Sequence, residues 1–244
     1  MSGHAFYLEP DKWRTMPVLE GQEAAHARVL RLREGEKAAL FDGRGRAANC
    51  VVAKIERKRI ILEIEKEQFI AEPVSRPILA LALSKAVRRG FFMEKAEELG
   101  AWEIWLWQAD RSQGKLVPAV VESCRQQLVA GLKQSRNPWL CGVKDARNAK
   151  GVARFAENIS HKIMPWEERA GTAPLGPAEL GRPGVTVYVI GPEGGFSNDE
   201  AALFIANGFR PASLGNRVLR CETAATLCLA LHWWASQLAQ TKNA

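Results

Sequence analysis

A glycine-rich segment that directly follows a run of valine and isoleucine is the first feature of this sequence that could do chemistry. It reads Ile190-Gly191-Pro192-Glu193-Gly194-Gly195-Phe196-Ser197. Because glycine has no Cβ, the backbone here can turn sharply, and its amides and carbonyls can approach a ligand closely. Ser197 and Glu200 have the spacing of a capping box, which predicts that a helix begins at this point. A strand, a glycine loop and a helix in this order often bind ligands in α/β sheets.

Two common nucleotide-binding patterns are missing from this loop. No Gly-Lys-Ser/Thr follows the glycines, so the segment is not a P-loop. The Gly-x-Gly-x-x-Gly spacing of dinucleotide-binding folds is missing as well. Taken alone, the loop is also consistent with a tight strand-to-helix turn that binds nothing.

A second polar segment, residues 214–225, contains Arg217, Arg220 and Glu222. It follows a short predicted strand, 212–214, and leads into a predicted helix, 223–238. That helix is hydrophobic on nearly all sides, so it must be buried on several faces, and a subunit interface is one way to bury it. The three charged residues could instead form an ion-pair network at the helix end, where the helix dipole favours a glutamate in any case.

Together, the two segments resemble the RsmE family of SPOUT methyltransferases, which form N3-methyluridine in 16S ribosomal RNA with S-adenosylmethionine as methyl donor. Residues 29–36, 95–100, 111–112 and 134–135 also match the family's pattern, so the resemblance extends along most of the chain. It implies an α/β SPOUT methyltransferase domain with a trefoil knot, preceded by a small PUA-like β-barrel domain. It also implies a homodimer with each active site near the subunit interface.

The resemblance assigns roles to individual residues of both segments. Arg220 is expected to stabilise negative charge that develops on the uracil, and Glu222 to accept the N3 proton or to orient Arg220. Residues 164–167 are expected to form a third wall of the cofactor pocket. The other cofactor-binding residues are expected to be Ile190, Gly191, Glu193, Gly194, Leu214, Gly215, Val218, Leu219 and Thr223.

The positive charge of the chain is concentrated in its middle. Of the formal net charge of +7, residues 73–154 carry all the excess, with 14 Lys and Arg against 7 Asp and Glu, and the flanking regions are nearly balanced. Basic surfaces attract RNA by counterion release, although a merely solvated basic surface has the same composition. The expected phosphate contacts are Lys85, Arg88, Arg89, Lys95, Arg111 and Arg136.

The hydrophobic pattern predicts two domains, residues 1–72 and residues 73–244. The first shows one helix, 21–32, and three close strands joined by short turns, which favours a compact barrel-like module. Prolines at positions 73 and 77 are expected to interrupt regular structure at the boundary. Beyond it, strands alternate with helices, which is typical of an α/β domain with a largely parallel sheet.

Composition restricts the compartment and the cofactors. No stretch approaches the roughly 18 apolar residues that span a bilayer, and the amino terminus lacks a signal-peptide pattern, so a cytoplasmic protein without membrane partners is expected. The five cysteines and four histidines show no ligand spacing, so neither a disulfide framework nor a metal site is expected.

Three other functions are compatible with parts of this pattern. One is a SPOUT methyltransferase that acts on another RNA, such as tRNA. Another is a non-catalytic RNA-binding protein of the same fold, which the intact second segment argues against. The last is a nucleotide-binding α/β enzyme unrelated to RNA, which the missing phosphate-binding patterns and the basic middle region disfavour.

Overall fold

The computed structural model describes residues 3–84, 86–166 and 172–241, with side chains apart from those of residues 86–88, 178 and 240. Within it, the chain divides into two compact units. The first unit consists of Met1–Glu72 together with Val129–Leu140, and the second of Pro73–Leu128 and Cys141–Ala244. The amino-terminal unit is therefore built from two separate pieces of chain.

The first unit is a five-stranded sheet with the strand order β1-β3-β4-β5-β2. Its β3, β4 and β5 form antiparallel hairpins, as predicted, with turns at 42–45 and 56–59. β1 and β2 were not predicted because each has four residues or fewer, too few to show an alternating pattern. The elements are β1 (His4–Tyr7), β2 (Val18–Leu19), helix α1 (Gly21–Val29), β3 (Lys37–Phe41), β4 (Arg46–Ile55) and β5 (Ile60–Phe69).

The end of a long helix, α3 (Pro118–Ser135), completes the packing of this first unit. Leu132 packs with buried Phe41. Lys133 forms an ion pair with Glu23 at 2.7 Å, and both side chains are only 16% exposed. The Trp139 indole, which follows the helix, donates to the carbonyl of Ile70 at 3.1 Å.

The second unit is a six-stranded sheet in which every pair of neighbours is parallel, with the order β11-β9-β10-β6-β7-β8. Its strands are β6 (Ser75–Ala82), β7 (Glu103–Trp107), β8 (Gly142–Arg147), β9 (His161–Pro165), β10 (Gly184–Ile190) and β11 (Arg210–Ala212). Its other helices are α2 (Ala86–Glu98), α4 (Ala149–Phe155), α5 (Asn198–Ala206) and α6 (Cys221–Thr241). The parallel α/β sheet expected from the sequence is confirmed.

One boundary signal was misread. The prediction that Pro77 interrupts regular structure was wrong, because β6 begins at Ser75 and continues through Pro77. At this position β6 pairs with Thr186 of β10, whereas its pairing with β7 starts one residue later. A proline lacks the N–H of a ladder bond, but it is tolerated near the start of a strand, where only one neighbour pairs with it.

Different side chains hold the two faces of the parallel sheet. On one face, a cluster of aromatic rings is formed by Trp107, Phe196, Phe204 and Phe209. Elsewhere, buried His232 of α6 links two strands: its Nε2 lies 2.7 Å from Ser75 Oγ and its Nδ1 lies 3.0 Å from the Tyr188 hydroxyl. Burial lowers the pKa of His232 to about 4, so the ring is neutral near pH 7.

The described part of the chain offers no helix that combines the length and the apolar character needed to cross a membrane. The same residues contain no group of three or more His, Cys, Asp or Glu side chains arranged to hold a metal ion. All five cysteines are buried free thiols.

Candidate active site

Two neighbouring strands of the second unit, β9 and β10, end at one cavity of about 170 Å³, and the segment that follows β11 lines it as well. The first turn, residues 191–197, connects β10 to α5, and the second turn, residues 213–220, connects β11 to α6. Pro165, the last residue of β9, also lines the cavity. The carboxyl ends of parallel strands are the usual place for a ligand site in an α/β sheet.

The cavity brings residues of both predicted segments together. Six of the predicted site residues line it, namely Ile190, Gly191, Glu193, Val218, Leu219 and Arg220. Five further residues of the wall have no role predicted from the sequence, namely Pro192, Gly195, Phe196, Cys221 and Ala224. All five lie inside the two motifs, so the signal for them was present.

The other residues predicted for catalysis or cofactor binding are near neighbours in sequence of residues that line the cavity, but they do not line it themselves. Gly194 is an exposed residue of the first turn, and Leu214 and Gly215 lie at the start of the second. Glu222 and Thr223 lie in the first helical turn of α6. Their assignment to the site therefore stays a prediction.

The first turn is held from several sides. Its Phe196 ring stacks on Trp107 of β7, with ring centroids 6.3 Å apart and planes 10° from parallel. Gly191 faces this ring so closely that a Cβ there would lie 3.2 Å from it. The predicted capping box is confirmed: Ser197 N donates to Glu200 Oε2 at 2.9 Å, and Glu200 N donates to Ser197 Oγ at 3.3 Å. These contacts fix both ends of the turn.

The second turn is more open. Ser213 Oγ bonds locally, donating to the Gly215 carbonyl at 3.1 Å and accepting from the Gly215 N–H at 3.2 Å. Gly215 has a φ of 121°, which residues with a Cβ rarely adopt. Val218 is 81% exposed although it lines the cavity. A nonpolar side chain is therefore available at the mouth of the cavity.

The charged part of the cavity lies where the second turn meets α6. Arg220 is exposed and makes no ion pair with any described residue. The first turn of a helix carries backbone N–H groups without helical acceptors, and the helix dipole adds a partial positive charge there. Arg220 and the start of α6 can therefore stabilise negative charge on a bound molecule.

Cys221, the next residue, is a thiol that does not act as a nucleophile at neutral pH. Burial raises its pKa to about 12, and so do a hydrogen bond to Glu222 and the charge of Glu193. The thiol donates to Glu222 Oε2 at 3.2 Å. Because only a thiolate attacks efficiently, covalent catalysis by Cys221 is disfavoured.

The residues expected to contact RNA phosphates are divided between the two units. Arg136 belongs to the first unit, whereas the others belong to the second. Lys85 lies outside the described residues, and the side chain of Arg88 is not described. The other four make contacts within the protein: Arg89 to the Ser84 carbonyl, Lys95 to Glu98, Arg111 to the Gly194 carbonyl and Arg136 to the Gly3 carbonyl.

Comparison with known proteins gives matches along both units. Residues 71–233 match an RNA methyltransferase domain family, and residues 19–65 match an RNA methyltransferase PUA domain family. Ribosomal RNA small subunit methyltransferase E from Mycobacterium bovis is 31% identical over 235 residues, which cover 92% of this chain and 88% of that protein. The Synechocystis protein of the same name is 28% identical and covers 83% of this chain, with 67% of its own length aligned.

Solved structures agree with these matches. The putative methyltransferase Lpg2936 from Legionella pneumophila, in complex with bound S-adenosylmethionine, superposes with a TM-score of 0.85 at 25% identity, covering 96% of this chain and 98% of that one. The ribosomal RNA small subunit methyltransferase E from Neisseria gonorrhoeae, bound to S-adenosylmethionine, has the same fold, with a TM-score of 0.76 at 24% identity over 93% of this chain and 95% of that one.

These matches confirm the expected fold class, a SPOUT-type α/β methyltransferase domain preceded by a PUA-like sheet. The trefoil knot that the resemblance implied stays a prediction. The family match covers well over half of the chain, and the Mycobacterium bovis relative aligns with nearly all of it. The chain therefore belongs to the ribosomal RNA small subunit methyltransferase E family of RNA methyltransferases.

Proposed function

We propose that this chain transfers the methyl group of S-adenosylmethionine to N3 of a uridine in 16S ribosomal RNA. The observation that carries the proposal is the cavity in which the two glycine-containing segments meet, with exposed Arg220 at its wall. The fold shared with the Legionella pneumophila protein, which binds S-adenosylmethionine, supports the choice of methyl donor. The names of the ribosomal relatives support the choice of RNA.

The cavity wall suits S-adenosylmethionine. Ile190, Val218 and Leu219 supply apolar surface for an adenine ring, and the glycine-containing first turn exposes backbone groups that can bind its polar edge. Glu193 lies on the same wall and can attract the amino group of the methionine part. When bound, this cofactor supplies a methyl group already activated by the sulfonium, so the protein mainly provides orientation and electrostatics.

Arg220 is proposed to stabilise the uracil as it becomes negatively charged. The N3 position of uracil carries a proton at neutral pH, and its lone pair becomes nucleophilic only as that proton leaves. Negative charge then spreads over the base, beside a guanidinium that no described residue neutralises. Removal of one such preorganised donor typically lowers kcat by about 100-fold to 1,000-fold.

Glu222 is proposed to accept the N3 proton or to hold Arg220 in place. Its carboxylate accepts a hydrogen bond from the Cys221 thiol in the first turn of α6. Because the pKa of that thiol is raised to about 12, Cys221 stays a donor throughout the physiological range and does not compete for the substrate proton.

We further propose that the enzyme is a homodimer that works in the cytoplasm, where its ribosomal substrate is found. The support for the dimer is an apolar strip on α6: Trp234 and Leu238 are four residues apart, hence on one face, and both are about half exposed. Trp233 beside them is 41% exposed. Sedimentation of the purified protein tests this, and a monomer at micromolar concentration would contradict it.

The phosphates of the RNA are proposed to contact basic side chains, with the target uridine extruded into the cavity. Arg89, Lys95 and Arg136 are the described candidates for phosphate contacts, and Lys85 and Arg88 remain candidates from the sequence. Neutralising several of them together should flatten the dependence of RNA affinity on salt concentration.

Arg220→Ala tests the proposed function, with Arg217→Ala as its matched control. Both side chains are exposed in the second turn, but only Arg220 lines the cavity. We expect Arg220→Ala to lower methyl transfer by at least about 100-fold while the Kd for S-adenosylmethionine changes little, and Arg217→Ala to keep its turnover.

The assay uses small ribosomal subunits from cells that lack the enzyme, free tRNA as the alternative substrate, and mass spectrometry to locate the methyl group. N3-methyluridine in 16S ribosomal RNA alone supports the proposal. Methylation of tRNA instead would point to another substrate, and wild-type turnover by Arg220→Ala would remove Arg220 from the mechanism.

A further inference from the structure

We propose that Arg111 is a positioning residue of the methyl-donor site, and that it acts by holding the Gly194 carbonyl of the first turn. This reassigns a residue that the sequence places among the phosphate contacts. The inference rests on the proposed function, because it concerns the turn that lines the same cavity.

The contact is direct. Arg111 lies in the loop between β7 and α3, and its Nη1 donates to the Gly194 carbonyl oxygen at 2.8 Å. The approach is close, since a Cβ on Gly194 would lie 3.1 Å from the Arg111 Cβ. A guanidinium donor gives a stronger hydrogen bond than a neutral group would.

The residue before Arg111 contacts the carboxyl end of the same turn. Ser197 Oγ donates to Asp110 Oδ2 at 2.7 Å, and the Asp110 N–H donates to Glu200 Oε1 at 2.9 Å. Within the loop, the Ala109 N–H donates to Ser112 Oγ at 3.1 Å. Two consecutive residues of one loop therefore hold the middle and the end of the first turn.

Glycine makes this anchoring necessary. The peptide between Gly194 and Gly195 is flanked by two residues that adopt positive and negative φ with similar ease, and Gly195 has a φ of 72°. Two hydrogen bonds set the orientation of this peptide: the Gly194 carbonyl accepts from Arg111, and the Gly195 N–H donates to the Pro192 carbonyl at 2.9 Å. Without Arg111, only the second bond holds this peptide.

The position of that peptide matters to the site because its neighbours form the wall. Pro192, Glu193 and Gly195 all line the cavity, whereas Gly194 faces Arg111 on the outer side of the turn. A rotated peptide would shift the backbone groups that are proposed to bind S-adenosylmethionine. Loss of Arg111 should therefore weaken donor binding more than it lowers turnover at saturating donor.

Three variants of the full-length protein test the inference: Arg111→Ala, Arg111→Lys and, as the matched control, Lys115→Ala. Lys115 is an exposed cation a few residues further along the same loop, with no contact to the first turn among the described residues. Calorimetry without RNA gives the Kd for S-adenosylmethionine, steady-state kinetics separate its KM from kcat, and thermal melting checks folding.

We expect Arg111→Ala to raise the Kd and KM for S-adenosylmethionine about tenfold, the size of one partly exposed charged hydrogen bond. Arg111→Lys should restore part of this, because an ammonium also donates to a carbonyl, and Lys115→Ala should match the wild type. The salt dependence of RNA binding should be unchanged in all three.

Two outcomes would overturn the inference and are distinguishable from each other. Wild-type affinity for S-adenosylmethionine in Arg111→Ala, with the slope of log affinity against log salt reduced by about 0.7 to 0.9, would make Arg111 a phosphate contact. A wild-type protein that binds no S-adenosylmethionine at all would overturn the proposed function together with this inference.

Discussion

The two turns that enclose the cavity are built in opposite ways. The first turn packs Phe196 against Trp107, closes a capping box and receives Arg111 and Asp110 from another loop. The second turn has local bonds at its start, and no side chain of residues 216–219 bonds to another part of the described chain. The residue proposed for catalysis, Arg220, ends this more open turn.

This difference suggests a division of labour within the site. A wall that is already ordered loses little conformational entropy of its own when a ligand binds, whereas an open wall has to be ordered as the ligand binds. The first turn is suited to hold the cofactor in a fixed place. The second turn is suited to close over it with Val218 and to bring Arg220 to the substrate.

The largest expected effect is on stability, in the first turn. Phe196→Ala should lower the free energy of unfolding by about 3 to 5 kcal/mol, because a buried ring is lost beside Trp107 and leaves a cavity. Denaturation in urea measures it. Ile205→Ala on the neighbouring helix α5 is the control, since that side chain is 40% exposed. A loss below about 1 kcal/mol would mean that the ring is not a support of the turn.

A smaller effect concerns α6, which begins at the second turn and is anchored by His232. Burial lowers the pKa of His232 from the usual 6.5 to about 4. As the pH falls below 6.5, this ring therefore takes up a proton in the unfolded chain but stays neutral in the folded chain until the pH approaches 4. The stability from this neutral ring is complete above pH 6.5 and is lost progressively as the pH falls towards 4, by about 2 kcal/mol at pH 5.

Urea denaturation at pH 7 and pH 5 measures this loss, and His232→Gln is the control because it cannot titrate. The wild type should lose more stability than the variant between the two pH values. Equal losses would show that other groups dominate the acid sensitivity and that His232 is not the pH-dependent anchor of α6.

The smallest expected effect on stability is in the second turn. Val218→Ala should change the free energy of unfolding by less than about 0.5 kcal/mol, because the side chain is 81% exposed. If the turn closes over the cofactor, the variant should still bind S-adenosylmethionine several-fold more weakly, because apolar surface buried on binding is lost. Melting and calorimetry measure the two quantities, and an unchanged Kd would mean that the second turn stays open.

Sequence reasoning found the elements whose signals are local. The start of α5 was predicted from Ser197 and Glu200, whose reciprocal bonds need only a spacing of three residues. The strand that precedes the first turn was predicted from its Val and Ile residues, which only Thr186 and Tyr188 interrupt. The two motifs of the site were likewise predicted from local residue types and spacing, which do not show that the motifs line one cavity.

Elements without such signals were missed for physical reasons. β8 lies at the edge of its sheet, and only Ala146 of its six residues is buried, so it has no apolar run. β9 has five residues and ends in a proline. The contact of Arg111 with Gly194 joins positions 83 residues apart, so no local pattern could separate it from a solvated cation.

The first unit is formed by two separate pieces of chain, and this delays its folding during translation. Phe41 packs with Leu132, and the carbonyl of Ile70 is bonded by the indole of Trp139, so the amino-terminal strands depend on chain that is made much later. Translation delivers the amino terminus first, and domains usually fold as they emerge. This unit cannot finish folding until residue 140 has left the ribosome, by which time β6, β7 and α2 of the other unit are already available to fold.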